Sequence, residues 1–535
     1  MDECCGLTRR TFDQLSTASA ADLVAPLVTS PESPNGSAGF FPQDLELVTV
    51  TDTSFVLTWF TGSSPGPATP HLPHREPLPV PTDGVVRYGT DPDHLDHLVT
   101  ESGGETAYHY VEVTGLAPGT TYHYQARSGG VAATSRLLPE LTFPAGGLHL
   151  PGTPSDEDLD AILRAILSTG RSHDASPGSV TTLVPPPGRH LFTVALSNDL
   201  HTGETVSGLA VADFPPGFSQ DPGLPAYPVV MGVSMVEDVA ARGAGILVVA
   251  GDLTSEALPA ELRDSRDLLD RFGTLTLSGA LSPGAYVVAR GNHDQPKAGP
   301  AYAACPPVGT TGYHDCLPAV YDLPQGRLTA TEFSGLRLVG LDTTILHGHG
   351  GAIDDAQFAA FRDVLAEDPD RPTLVFGHHP VTDESAYTTI AGPGFDLNRA
   401  DAARLEALYA TTPGVFFHHA GHTHRNLRTA SPTAPGVEFL EVAAIKEYPG
   451  GFTLLRVYEG GYMANFYKSS SALARQWSHT TSGEYFGLYP AYTLGGLADR
   501  NHVVARDFSG LGSAGPPAAG LRATGPRATG GRGSE

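Results

Sequence analysis

Long apolar runs are missing from this chain. None approaches the roughly 20 residues that a membrane-spanning helix needs, so no helical span is expected. Cysteine is scarce as well: four in 535 residues cannot form the dense disulfide framework of a small secreted scaffold. Positive charge is also short. The 32 Lys and Arg face 58 Asp and Glu, and the formal charge of −26 argues against nucleic acid or an anionic membrane as a bulk partner. Such an acidic body also repels a polyphosphate substrate unless bound metals reverse the local field. What is present suits a globular protein, with 40% apolar and 17% charged residues. The length exceeds one compact core, so two or more domains are expected. The 62 glycines and 46 prolines imply many loops and disordered ends.

Residues 1–42 are rich in Ser, Ala, Pro and Gly and read as a signal or disordered leader. Within them, Thr8-Arg9-Arg10-Thr11-Phe12 resembles a twin-arginine export signal, and Ala18-Ser19-Ala20 is a candidate cleavage site. Asp13 and Gln14 depart from that pattern, and two arginines in a disordered head are the alternative. Cys4 and Cys5 lie in this leader, whereas Cys305 and Cys316 flank a Pro/Gly-rich loop. The later pair forms a disulfide if the protein is exported, or two thiols if it stays in the cytoplasm. Both locations remain open.

From Leu45 the pattern alternates with period two: Phe55, Leu57 and Trp59 share one strand face, and Val111 and Val113 another. Gly115-Leu116-Ala117-Pro118-Gly119-Thr120-Thr121-Tyr122 resembles the tyrosine corner of fibronectin type III sandwiches. Residues 44–138 are therefore expected to form a small all-β sandwich. A connector follows over 139–190, with a helix over Asp156 to Leu167. Residues 191–467 alternate strands and helices, the pattern of a layered α/β fold. The expected strands are Leu191–Leu196, Ile246–Ala250, Tyr286–Arg290, Leu336–Leu341, Thr373–Phe376, Val415–His418, Phe439–Val442 and Phe452–Val457. Helices are expected over Tyr227–Ala241, Asp355–Leu365 and Ala400–Tyr409. A C-terminal extension over 468–508 and a disordered tail over 509–535 complete the chain.

Five short stretches carry the chemistry: Asn198-Asp199-Leu200-His201, Gly251-Asp252, Gly291-Asn292-His293-Asp294, Gly377-His378-His379-Pro380 and Gly421-His422-Thr423-His424. Each follows an expected strand, where open α/β sheets place their ligands. Asp, Asn and His are the donors that suit Zn, Mn, Fe or Co. Asp-x-His and His-x-His project two side chains to one side of an extended backbone. His347 and His349 have no partner motif and read as a loop, and Asp342 reads as structural.

This ordered set is similar to the calcineurin-like metallophosphoesterase superfamily. The sandwich resembles the domain that precedes catalysis in purple acid phosphatases, and leader, sandwich and composition together look like exported actinobacterial members. The resemblance implies a four-layer αββα fold and two divalent or trivalent metal ions. Asp199, His201 and His424 would hold one ion, and Asn292, His378 and His422 the other. Asp252 would bridge them. It also implies attack by a metal-bridging hydroxide on a small-molecule phosphate ester. His293 would contact the phosphoryl oxygen or protonate the leaving alkoxide, with Asp294 orienting and charging its imidazole. Asn198, His379 and Arg425 are further candidates around the site.

The departures are informative. Purple acid phosphatases carry tyrosine where this chain has Ser255, glycine at His201 and glutamate at Asp294. Leu253-Thr254-Ser255 lacks the Asp-Arg-Gly element of protein serine/threonine phosphatases. What remains resembles a phosphodiesterase-like branch, so diesters are the expected substrates. Monoester hydrolysis and a non-catalytic surface-binding role are the alternatives. The interval from Asn292 to His378 (378 − 292 = 86 residues) holds both late cysteines and is expected to shape the substrate pocket.

Overall fold

A computed structural model describes residues 39–65, 77–148, 156–208 and 217–513. The Arg9-Arg10 motif, Cys4, Cys5 and most of the tail lie outside the described residues.

The N-terminal region is a sandwich of two antiparallel sheets. Phe40–Val50, Ser54–Pro65, Pro77–Pro79 and Tyr108–Thr114 form one, and Gly84–Gly89, His97–Thr100, Thr121–Ser128 and Val131–Ala132 contribute to the other. Tyr108–Thr114 alternates half-buried and buried positions, as a strand with one face on a core must. Phe55, Leu57, Trp59, Val111 and Val113 meet in that core together with Tyr122 and Tyr124. The expected corner is present, for the Tyr122 hydroxyl accepts the Ala117 N–H at 3.0 Å. Ser179–Thr181 pairs with Thr121–Ser128, so the segment expected to be a mere connector supplies a strand to the sandwich.

Ser54–Pro65 also packs outward, with Val56 in the core of the following domain. The seam is hydrogen-bonded. Thr49 donates to the Phe466 carbonyl at 2.6 Å, and Asn465 donates to that of Val50 at 2.7 Å.

The second region holds two seven-stranded mixed sheets. One runs Thr274–Leu275, Ala285–Val288, Ile246–Val249, His190–Ser197, Gly451–Tyr458, Gly461–Lys468, Asn501–Ala505. The other runs Ser278–Ala280, Thr329–Phe333, Leu336–Gly340, Thr373–Phe376, Val415–Ala420, Glu438–Glu441, Leu427–Ala430. Their central strands are parallel. Both faces of the second sheet are apolar because both are covered. Leu338, Leu374 and Phe376 turn toward the first sheet. Val339 and Val375 turn toward Phe361, Leu365, Leu405 and Tyr409 of the helices Asp355–Ala366 and Arg399–Ala410. Those helices start at Asp354 and Asn398, whose side chains accept backbone N–H groups. Tyr227–Ala241 and Pro259–Leu269 cover the outer face of the first sheet with Met231, Met235, Leu262 and Leu269. The four layers are helix, sheet, sheet, helix.

The first sheet does not end at residue 467. Asn501–Ala505 pairs with Gly461–Lys468, and Trp477 of helix Ala472–Thr481 stacks on Tyr227 at 4.3 Å. The segment expected as an extension is thus an integral part of this region, tied in by contacts distant in sequence.

Candidate metal centre

All five chemical stretches follow the C-terminal ends of parallel strands, with Asn292–Asp294 in a single 3-10 turn and the others in loops. The backbone there is unusual. Asp199, His201, Asp252, His422 and His424 have φ of 53°, 48°, 50°, 71° and 57°. Non-glycine residues in this left-handed region cost on the order of 1–3 kcal/mol each and persist only where the surroundings enforce them. The side chains of Asp-x-His and His-x-His therefore converge through left-handed turns, not through the extended backbone expected from the sequence. Cross-loop bonds hold these turns. Asp199 N–H donates to the Gly251 carbonyl at 3.0 Å, His201 N–H to that of Asp252 at 3.0 Å, and His422 N–H to Asp199 Oδ2 at 3.0 Å. Two glycines permit the approach. A Cβ on Gly291 would lie 2.0 Å from Asp252 Oδ1, and one on Gly421 2.6 Å from Asp199 Oδ2.

The seven expected ligands come together. Asp199 Oδ1 is 3.3 Å from His424 Nε2 and 3.7 Å from His201 Nε2. His378 Nε2 is 2.9 Å from Asn292 Oδ1 and 3.0 Å from His422 Nδ1. Asp252 lies between the two sets, its Oδ2 3.3 Å from His201 Nε2 and 3.1 Å from His378 Nε2. Asp199, His201 and His424 can hold one metal ion, and Asp252, His378 and His422 another. The fit is supported by orphaned atoms that face the centre: Asp199 Oδ1 and His201 Nε2 are buried without a hydrogen-bond partner. A buried polar group left so costs about 1–3 kcal/mol, which a cation at these positions removes.

Three of the ligand imidazoles are oriented from behind, which leaves one nitrogen of each facing the centre. His378 Nδ1 donates to the Ala250 carbonyl at 2.9 Å, and His422 Nε2 to that of Phe395 at 3.0 Å. The Phe395 ring also stacks on His422 at 3.7 Å. His424 Nδ1 donates to Glu447 Oε1 at 2.7 Å. The field favours positive charge at two of these imidazoles, while burial and the neighbouring His379 and His378 hold His422 well below the usual histidine range. Burial alone would push His378 and His424 down, but Asp252 beside the first and Asp199 and Glu447 beside the second raise them to about 9 and about 10. Burial likewise opposes ionisation of Asp199 and Asp252, yet the surrounding histidines hold both well below the usual carboxylate range.

His293 is half-buried, with its Nδ1 donating to the Ser255 carbonyl at 2.7 Å and its ring 4.4 Å from that of His201. Burial lowers its pKa against the raising influence of Asp252. Asp294 does not orient or charge it, contrary to the expectation from their adjacency. The Asp294 carboxylate accepts the N–H groups of Leu253, Thr254 and Gly291, each at 3.0 Å, and the Thr254 hydroxyl at 2.8 Å. It braces the loop that carries Asp252.

Of the three weaker candidates, His379 and Arg425 are occupied by other partners, whereas Asn198 supports a ligand. His379 is tied at both nitrogens, to the Thr343 hydroxyl at 2.7 Å and the His349 carbonyl at 2.8 Å. Arg425 pairs with Glu441 at 2.8 Å and donates to the carbonyls of Ser385 and Thr388. Asn198 donates to Asp199 Oδ2 at 2.5 Å and so orients that carboxylate. Asp342 is structural, as expected, and accepts from Gly326 and Thr344. Cys305 and Cys316 are disulfide-bonded. They close a hairpin whose Tyr313 ring stands edge-on to His347 at 3.9 Å. Glu204, Lys446, Glu447 and Tyr489 adjoin the centre without having stood out in the sequence. Only the position of Glu204, three residues after His201, offered a hint.

Fold and donor set together define a metal-dependent hydrolase. Residues 192–426 match the calcineurin-like phosphoesterase family, and residues 42–139 match the purple acid phosphatase N-terminal domain. The chain thus carries a calcineurin-like phosphoesterase domain preceded by a purple acid phosphatase-type N-terminal domain, which supports a metal-dependent phosphoric ester hydrolase. No curated protein sequence matches it. Among solved structures, a dimetal phosphatase from Danio rerio is similar at 14% identity and a TM-score of 0.37, covering 52% of this chain and 96% of its own. A purple acid phosphatase from yellow lupin (Lupinus luteus) shows 14% identity and a TM-score of 0.36, covering 81% of this chain and 73% of its own. The structure of PhoD shows 12% identity and a TM-score of 0.32, covering 81% and 87%.

Proposed function

We propose that this centre holds two cations and hydrolyses phosphate esters, with diesters preferred. Asp199, His201 and His424 bind one cation, Asn292, His378 and His422 the other, and Asp252 is shared. The convergence of both donor sets on Asp252 Oδ2 carries this reading. When bound, the cations supply an acidified water and positive charge for the phosphoryl oxygens.

The protein's own groups do the rest. Asp252 uses Oδ1 to accept the His293 N–H at 2.8 Å, which fixes the loop carrying that imidazole. The Ser255 carbonyl holds Nδ1 of His293, so Nε2 is the free nitrogen. An anionic substrate beside it favours the imidazolium, and Nε2 then delivers its proton to the leaving oxygen. The intact Asp199-x-His201 and Gly291-to-Asp294 elements favour diesters, whereas the purple acid phosphatase match of the N-terminal domain favours monoesters. Paired assays with bis- and mono-nitrophenyl phosphate separate the two: a higher kcat/KM on the diester is expected, and monoester-only turnover would overturn the preference. The Cys305–Cys316 disulfide suits an oxidising compartment and so supports export by the twin-arginine-like leader. Cell fractionation tests this, and a purely cytoplasmic protein would refute it.

A further inference from the structure

Behind one half of the centre lies a buried charged cluster that the hydrolytic reading does not use. Lys446 is 4% exposed. Its ammonium is 2.7 Å from Glu204 Oε2 and 3.2 Å from Glu447 Oε2. Glu447 in turn accepts His424 Nδ1–H at 2.7 Å, the Ser207 hydroxyl at 2.5 Å and the Tyr489 hydroxyl. Glu204 Oε2 stands 3.4 Å from His201 Nδ1. Both histidines of this half therefore have a carboxylate beside them, hydrogen-bonded at His424 and close without a hydrogen bond at His201, and both carboxylates share one lysine.

The other half is built differently. His378 and His422 rest on the neutral carbonyls of Ala250 and Phe395. Formal charges sharpen the contrast. With the imidazoles counted as neutral metal ligands and the fully buried Glu484 beside Glu447 counted as protonated, Asp199, Glu204, Glu447 and Lys446 sum to −2 (−3 + 1), whereas Asn292, His378 and His422 sum to zero, with Asp252 common to both. A carboxylate that accepts the outer N–H of a ligating imidazole fixes its tautomer and raises its donor strength. A carbonyl fixes the tautomer without adding charge.

We propose that Glu204, Lys446 and Glu447 form a positioning unit that makes the Asp199–His201–His424 position the tighter of the two cation sites, with Lys446 moderating the charge behind it. This rests on the two-cation reading of the centre. Removing Glu447 or Glu204 weakens that position alone. Removing Lys446 takes away the ammonium shared by the buried Glu447 and the half-buried Glu204, so a cation bound at Asp199, His201 and His424 offsets more of their charge.

Stepwise Zn²⁺ binding, measured by chelator competition on the full chain, tests this without reference to activity. Wild-type protein should bind two ions in unequal steps. Glu447→Gln should weaken the tighter step about 10–100-fold and leave the other unchanged. Glu204→Gln, whose side chain is 18% exposed, should shift the same step less and serves if the first variant does not fold. Lys446→Met should lower the Tm of the metal-free protein, yet gain more in Tm from Zn²⁺ than wild type does. A purely structural lysine would show no enlarged gain. Equal steps in wild type, a shift of both steps or neither in the Glu variants, or no extra Tm gain in Lys446→Met would overturn this proposal alone. Fewer than two ions on wild type would overturn the two-cation reading and this proposal with it.

Discussion

Two regions of this protein bury charge, and they treat it in opposite ways. At the seam between sandwich and layered domain, Glu46 is 1% exposed and both its oxygens are taken. Lys468 approaches to 2.6 Å, Arg136 to 2.7 Å, and the Tyr448 hydroxyl donates at 2.8 Å. Burial would raise the Glu46 carboxyl, but Lys468 and Arg136 outweigh it and lower the pKa to about 2. At the metal centre, carboxylates and imidazoles of similar burial point at one another, several atoms have no partner, and the backbone carries left-handed residues. Buried charge closed within the protein holds two domains together. Buried charge left open on a strained backbone invites completion from outside, which in the proposed function comes from cations and a phosphate ester.

Substitutions should separate the two regions by what they damage. The largest loss is expected from Asp252→Asn, which removes charge shared by both donor sets. It should lower kcat on bis-nitrophenyl phosphate by at least about 10³-fold while the protein stays folded by circular dichroism. His293→Ala should reduce kcat by about 10²–10⁴-fold without lowering the metal content measured by elemental analysis. At the seam the signature reverses. Glu46→Gln leaves Lys468 buried and unpaired, and should cost about 3–5 kcal/mol in denaturant unfolding with kcat of the folded protein unchanged. Because the folded pKa of Glu46 is depressed, its contribution is present above the unfolded value of 4.5 and is lost as pH falls toward about 2. Wild-type stability should therefore fall across that window more steeply than that of Glu46→Gln. Asp294→Asn should cost about 1–3 kcal/mol of stability through its lost backbone bonds. A shift in the pH–rate profile without a stability loss would instead restore the role of charging His293. The smallest effect is expected from Tyr122→Phe, about 1 kcal/mol from the sandwich corner, with no change in kcat.

Much of this arrangement was legible because it is local. Helix Tyr227–Ala241 and strand Thr373–Phe376 have the bounds expected from pattern alone, since their apolar residues are punctuated by Pro, Gly and charge. The ligand stretches were legible as residue types in order. Their left-handed backbone was not, because φ at Asp199 or His422 is enforced by bonds between loops distant in the chain. Asp294 was misread for the same reason: its partners Leu253 and Thr254 lie about 40 residues away, while its neighbour His293 does not use it. Glu204, Lys446 and Glu447 have no motif, and only the fold brings Lys446 to Glu204 across 242 residues. Ser179–Thr181 and Asn501–Ala505 were missed as strands because short segments gain their pairing from a sheet already formed.

Metal content of the purified, active protein after exhaustive dialysis bears most directly on the centre. About two ions per chain are predicted, with hydrolysis lost on chelation and regained on returning the metal. Full hydrolytic activity in protein stripped of metal would contradict the assignment of these buried donors.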